Sequence, residues 1–272
     1  MYKSIVSEKN YKLAVESTKY LSERLNLESS YKKDHVWIVY GSLITNQLKE
    51  GSDLDFMLIT NSNGNPRRIS ASYKNHPVTL YIVPKKEFVK DGREGKYGGY
   101  FCGKTLNPFI SIGNLMDDKE ILSVSLELIT PFMVYLSKNK NIQNLNRNNI
   151  VASVFQSYSF LYPHYHSYFF KHYVSPKFQD IWRIMGETMP NTLIKLNLVI
   201  KISRNKYRFT GGLLKNINRK AVEYTSRFWA FGAYSHDRFD FPDLYFEKCN
   251  KYLSEPKYME SLTFLKNQSI IN

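Results

Sequence analysis

The run DLDFMLIT, residues 53–60, constrains the fold of this chain more than any other stretch. Leu54, Phe56, Met57, Leu58 and Ile59 make it an apolar strand, yet Asp53 and Asp55 stand inside it. In a strand, residues i and i+2 point to the same side, so the two carboxylates share one face and Leu54, Phe56 and Leu58 take the other. Two further apolar runs bounded by turn residues, HVWIVY (35–40) and VTLYIV (78–83), read as strands of the same sheet, with the turn-rich NSNGNP between the second and third. Ahead of them, EKNYKLAVESTKYLSERLN (8–26) sets Leu13, Val15, Tyr20, Leu21 and Leu25 at helical spacing among charges, which predicts an amphipathic helix. After Pro84, KKEFVKD reads as the first turn of another helix, and DGREGKYGGYFCGKTLNP (91–108) is the most loop-like stretch of the chain.

From about residue 115 the pattern turns helical. Helices are expected over 116–139, 149–173 and 176–189, and again near 213–232 and 242–254. TLIKLNLVIKISRNKYRFT (192–210) reads as a helix leading into a β-hairpin turned at SRN, in the manner of a winged-helix element. The expected organisation is therefore α+β. Residues 1–112 form a mixed sheet with flanking helices, and 113–272 form a mainly helical domain.

At 272 residues, with 43% hydrophobic and 15% aromatic residues, the chain has enough apolar material for two cores. It contains no uninterrupted apolar run of the roughly 18 to 20 residues that a membrane span needs, and its start lacks the apolar block of a signal peptide. A soluble, cytoplasmic protein without membrane partners is the expectation. Cys102 and Cys249 are far apart and have no metal-ligand spacing, which argues against a disulfide framework or a zinc site. A formal charge of +14 favours polyanionic partners, either nucleic acid or nucleotide phosphates, although the basic residues are scattered.

Two carboxylates on one strand face repel unless a cation lies between them, and hard oxygen donors at this spacing suit Mg²⁺. Upstream, Gly41 lets the chain turn tightly, and the Ser42 hydroxyl with nearby backbone N–H groups forms a candidate phosphate site at the start of the next segment. Gly41-Ser42 after the apolar WIVY, ten intervening residues that end in Ser52, then Asp53-Leu54-Asp55 on a strand, resembles the signature of the nucleotidyltransferase superfamily related to DNA polymerase β. Within it, the chain looks most like the minimal and the aminoglycoside nucleotidyltransferases, over about residues 8 to 90. The resemblance implies transfer of a nucleoside monophosphate from an NTP such as ATP. Asp53 and Asp55 would be the catalytic carboxylates and hold one or two Mg²⁺ ions, and Gly41, Ser42 and Ser52 would contact the nucleotide. A basic side chain near the leaving pyrophosphate would help, with Lys104 the first candidate and Lys85 and Lys86 behind it. The acceptor expected first is a small molecule; an RNA end or a protein side chain is the alternative.

One departure stands out. The superfamily usually draws a third carboxylate from a neighbouring strand, and here that strand offers Thr79 or Tyr81. The options are two carboxylates acting with the nucleotide alone, an acid from elsewhere such as Asp117, Asp118 or Glu120, or a non-catalytic nucleotide-binding module. Other features carry less. His164 and His166, two apart on an expected helix, diverge, so with His172 they read as an aromatic-rich wall. The glycine-rich stretch lacks the GKS/T ending of a phosphate loop and reads as a structural loop or a lid. Lys215, Arg219, Lys220 and Arg227 read as a solvated helix face.

Overall fold

A computed structural model describes residues 2–27, 34–94, 96–97, 99–139, 145–151, 154 and 179–209. The helices expected near 213–232 and 242–254, most of that over 149–173, the three histidines, Cys249 and the basic residues 215–227 lie outside these residues. The chain divides into two compact units, one of Met1–Val89 with Asn107–Ile121, the other of Lys90–Leu106 with Leu122–Asn272. This division is discontinuous, whereas the sequence reading draws a single cut near 113.

The first unit is α+β. Among the described residues, five strands form a mixed sheet: β1 (His35–Tyr40), β2 (Leu54–Thr60), β3 (Arg67–Tyr73), β4 (His76–Pro84) and β5 (Phe109–Gly113), in the order β3-β4-β2-β1-β5. β2 and β4 run parallel, and the other neighbouring pairs are antiparallel. β1, β2 and β4 are the three apolar runs. β3 and β5 were not expected. β3 reads RRISASY and is exposed or half-buried throughout, so no apolar alternation marks it. It is tied to β4 by a tight turn in which Lys74 and Asn75 both take positive φ, 44° and 64°.

Helix α1 (Glu8–Arg24) starts at Ser7, whose Oγ accepts the Asn10 N–H. Its buried stripe is Asn10, Ala14, Ser17, Thr18 and Leu21, at the i, i+4, i+7, i+8, i+11 spacing of one helix face. Small side chains there let the helix approach the sheet closely. Leu13, Tyr20 and Leu25 pack at the margin of this core, but Val15 is 39% exposed, which corrects its expected place on the inner face. The core beneath α1 contains Trp37, Val39, Leu54, Phe56, Leu58, Val78, Leu80 and Ile82, so the middle of one face of β1, β2 and β4 is apolar and covered. Asp55, with the opposite parity, is on the other face.

Helix α2 (Lys85–Glu94) begins directly after Pro84 and runs four residues into the stretch read as loop. Helix α3 (Asp118–Asn139) follows β5, with Asp117 Oδ1 accepting the N–H groups of Lys119 and Glu120 at 2.8 Å each. Described by itself, the second unit contains helix α4 (Gln179–Lys195) and an antiparallel hairpin of β6 (Val199–Ser203) and β7 (Lys206–Phe209), as the sequence predicts. No helix among the described residues is long and apolar enough to cross a membrane.

Candidate active site

Register places the carboxylates. Asp55 pairs with Tyr40, the last residue of β1, on one side and with Thr79 of β4 on the other. Leu54 and Phe56 are fully buried on the opposite face, which fixes which way Asp55 points: slipping β2 by one residue would drive the carboxylate into the core. Asp53 immediately precedes β2 and is exposed, while Asp55 is half-buried.

The chain leaves β1 at Gly41 with φ of +78° and enters a short 3-10 turn, Gly41–Leu43. A Cβ built on Gly41 would lie 2.6 Å from Asp55 Oδ2, closer than real Cβ contacts come. The carboxylate therefore rests directly against the Gly41 backbone, and only glycine satisfies both the φ and the contact. Leu43 and Ile44, both fully buried, plug the turn into the core. The segment is a single 3-10 turn, so phosphate recognition here would rely on individual N–H groups and the hydroxyl instead of an α-helix dipole. Ser42 is half-buried, and among the described residues its Oγ makes no hydrogen bond.

Residues that the sequence reading did not single out hold this turn. Asn10 of α1 donates from Nδ2 to the Leu43 carbonyl at 2.9 Å and to Asn46 Oδ1 at 3.2 Å. Asn46, itself at φ of 58°, accepts the Ser7 N–H on Oδ1 and donates from Nδ2 to the Ile5 carbonyl at 2.7 Å. Both are ordinary polar residues in sequence, and only the approach of α1 gives them partners. On the other side, His76 Nδ1 is 3.0 Å from the Ser52 carbonyl, an acceptor, so Nδ1 carries the proton and pins the backbone just before Asp53. Ser52 itself closes the turn before β2, its Oγ accepting the Lys49 N–H at 3.0 Å.

The candidate cations separate. Lys85, the first residue after β4, lies six residues beyond Thr79, roughly 20 Å at strand rise. It forms an ion pair with Glu120 at 2.9 Å, and Lys86 follows it at the same far end of the sheet. Lys104 belongs to the second unit, in a 3-10 turn over Cys102–Leu106, with its Nζ 4.2 Å from the centroid of the Tyr100 ring. Arg68 was overlooked because its strand was. It pairs with Tyr81, which shares the face of Thr79 and Asp55, so this exposed guanidinium stands on the carboxylates' face, two strands across and two residues along.

Among the described residues, no alternative third acid converges on Asp55. Among the described residues, no group of three His, Cys, Asp or Glu side chains is placed to hold a metal. Asp117 caps α3, Glu120 pairs with Lys85, and Asp118 accepts the Ser111 hydroxyl at 2.6 Å. Ser111 stands opposite Ile38, two strands and two residues from Asp55, on the order of 12 Å. Thr79, not Tyr81, is the residue beside Asp55; Tyr81 is buried opposite Met57.

No family model matches the chain, and neither does any curated protein.

Gly41→Ala tests the contact between the turn and the carboxylate. It is expected to destabilise the first unit by about 1–3 kcal/mol, from the positive φ and the displaced carboxylate together. Thermal unfolding measures this. The same variant should lose any Asp55-dependent ligand affinity, which calorimetry reads independently.

Proposed function

We propose that this chain is a Mg²⁺-dependent nucleotidyltransferase that moves a nucleoside monophosphate from an NTP to an acceptor hydroxyl or amine, with a small molecule as first-choice acceptor. The observation that carries the reading is the Asp55 carboxylate seated against Gly41, which puts the acid and the Ser42 turn side by side at one end of β1 and β2.

The donor set suits Mg²⁺, which takes one or two carboxylates and fills its remaining positions from water and substrate phosphates. Asp53 and Asp55 would hold it. Bound there, the ion would neutralise triphosphate charge and align the α-phosphate for in-line displacement. The remaining work falls to the chain. Ser42 Oγ and the N–H groups of the turn offer donors to the β and γ phosphates, where charge accumulates as pyrophosphate leaves. Arg68 supplies a cation to the same face. His76 holds the backbone just before Asp53 in place. In the transfer, the acceptor oxygen or nitrogen bonds to the α-phosphorus and the bond to the bridging oxygen breaks. Thr79 cannot take the acceptor's proton near neutral pH, so the proton passes to solvent or to a basic group of the acceptor.

A second reading, a nucleotide-binding module without transfer activity, is favoured by that same Thr79. Calorimetric titration with each of the four NTPs, with and without Mg²⁺, tests the common ground. Binding of at least one NTP, weakened at least tenfold by EDTA, is expected. Absence of binding to all four would overturn both readings. Labelled-nucleotide transfer in an acceptor screen then separates them.

A further inference from the structure

The second unit carries a basic, partly apolar surface that the transfer chemistry does not use. The β6–β7 hairpin, residues 199–209, contains Lys201, Arg204, Lys206 and Arg208 and no acidic residue. One side of it is buried through Val199 and Tyr207, and Leu145 extends the pairing by exchanging backbone hydrogen bonds with Tyr207 at 2.8 and 2.9 Å. The other side faces outward, with Ile200 40% and Ile202 48% exposed and Arg208 directly opposite Ile200. Charge and exposed aliphatic surface thus occur together.

The hairpin tip leads into a cavity. Asn205 Oδ1 accepts the Arg147 N–H at 3.3 Å, and the exposed Arg147 lines a pocket of about 430 Å³ with Asn148, Gln179, Trp182, Gly186 and the Arg183–Glu187 pair. Trp182 is half-buried on α4, and its Nε1 donates to Asn148 Oδ1 at 2.9 Å. That bond fixes the edge of the indole, and Trp182 lines the pocket. Arg183 sits between Asp180 and Glu187 at 3.5 and 3.3 Å, so its charge is already answered locally. Among the described residues, Arg147, Arg204, Lys206 and Arg208 run from the pocket along the hairpin and can meet a polyanion, with Lys201 on the hairpin's other side.

We propose that this surface binds single-stranded nucleic acid, with a base stacked on Trp182 and the backbone tracking along Arg147 and the hairpin. Three features favour this partner. Guanidinium groups match phosphate with paired hydrogen bonds. An oriented indole beside amide side chains stacks any base and meets its polar edge, a platform that a base paired inside a duplex cannot reach. The adjacent isoleucines suit the apolar faces of unstacked bases and have no use on a purely ionic surface. The inference stands apart from the transfer reading, and if both hold, the strand becomes a candidate acceptor.

The test uses the full chain and labelled 20-nucleotide strands of RNA and of DNA, together with the matching duplex, in fluorescence anisotropy across a salt series. Four phosphate contacts on a single strand correspond to a slope of log affinity against log salt of about −3, a loss of roughly 50-fold between 50 and 200 mM. The Arg204→Ser/Lys206→Ser/Arg208→Ser protein changes exposed positions only and should keep its circular dichroism and melting temperature. Its slope is expected to shrink by about 2. Trp182→Leu is expected to weaken binding roughly tenfold with the slope retained. Asp53→Asn/Asp55→Asn should bind the strand like the unaltered chain, so a failure of nucleotide transfer and a failure of strand binding are distinguishable. The RNA and DNA arms tell whether the 2′-hydroxyl contributes. The proposal is overturned by absence of binding at 50 mM salt, by a slope unchanged in the triple variant, by duplex binding as tight as strand binding, or by polyglutamate competing as well as the strand does.

Discussion

Asp55→Asn is expected to lower Mg²⁺-dependent nucleotide transfer by on the order of 10³-fold, equivalent to about 4 kcal/mol of transition-state stabilisation. On the proposed function the carboxylate pair would be the whole metal-binding contribution of the described residues, because Thr79 beside Asp55 is no substitute ligand and no group of three His, Cys, Asp or Glu side chains among them is placed to hold a metal. Halving the chain's negative charge at the site therefore leaves little to hold the cation. Fold stability should move little. The substitution keeps the side chain's shape against Gly41. Transfer of label from the NTP identified by calorimetry, run beside a thermal melt, measures both effects. Activity retained to within a few-fold would refute the assignment of Asp55, and a collapse of the melt would show a structural role instead.

Asp91→Ala should lower the unfolding free energy of the second unit by about 4 kcal/mol or more. Asp91 is fully buried, and its carboxylate accepts four backbone N–H groups: Tyr97 and Gly99 on Oδ1 at 2.9 and 2.8 Å, Phe101 and Cys102 on Oδ2 at 2.8 and 3.1 Å. Charge-assisted bonds of this kind contribute about 1.5–3 kcal/mol each, and their loss strands donors out of water. A drop in melting temperature on the order of 10 °C is expected. Asp91→Asn is a sharper version, since its amide nitrogen presents hydrogens to donors at the same volume; it should recover little of the loss. The geometry also decides what the glycine-rich stretch is. Its amides turn inward onto an internal carboxylate, so they are not available to cradle a substrate phosphate. Gly99, at φ of +77° with Leu128 where a Cβ would be, serves that inward turn. The buried Cys102 thiol is held protonated well above its usual range by burial first and by Asp91 second, which makes it a poor nucleophile.

Much of the first unit was legible because its signals are local. Three apolar runs of strand length, an amphipathic stretch ahead of them and a proline before α2 each state their conformation within a few residues. The same holds for the proposed site: Gly41, Ser42, Asp53 and Asp55 are conspicuous because they break the rules of the strands they adjoin. What stayed hidden depends on neighbours distant in sequence. β3 is a polar edge strand that hydrogen-bonds on one side, so burial leaves no pattern in RRISASY, and with it went Arg68. The inner face of α1 proved to be Asn10, Ala14, Ser17, Thr18 and Leu21. Helical period alone favoured the larger residues, while close packing on a sheet favours small ones.

The sequence by itself determined that two carboxylates and a Gly-Ser turn flank adjacent apolar strands, because periodicity and backbone preference are properties of short segments. Only the tertiary structure decided that Thr79, and not Tyr81, stands beside Asp55, that Lys85 is spent on Glu120 at the far end of the sheet, and that the glycine-rich amides close on Asp91. Each of those is a matter of register or burial, set by the free energy of the whole packed unit and encoded in no single stretch of the chain.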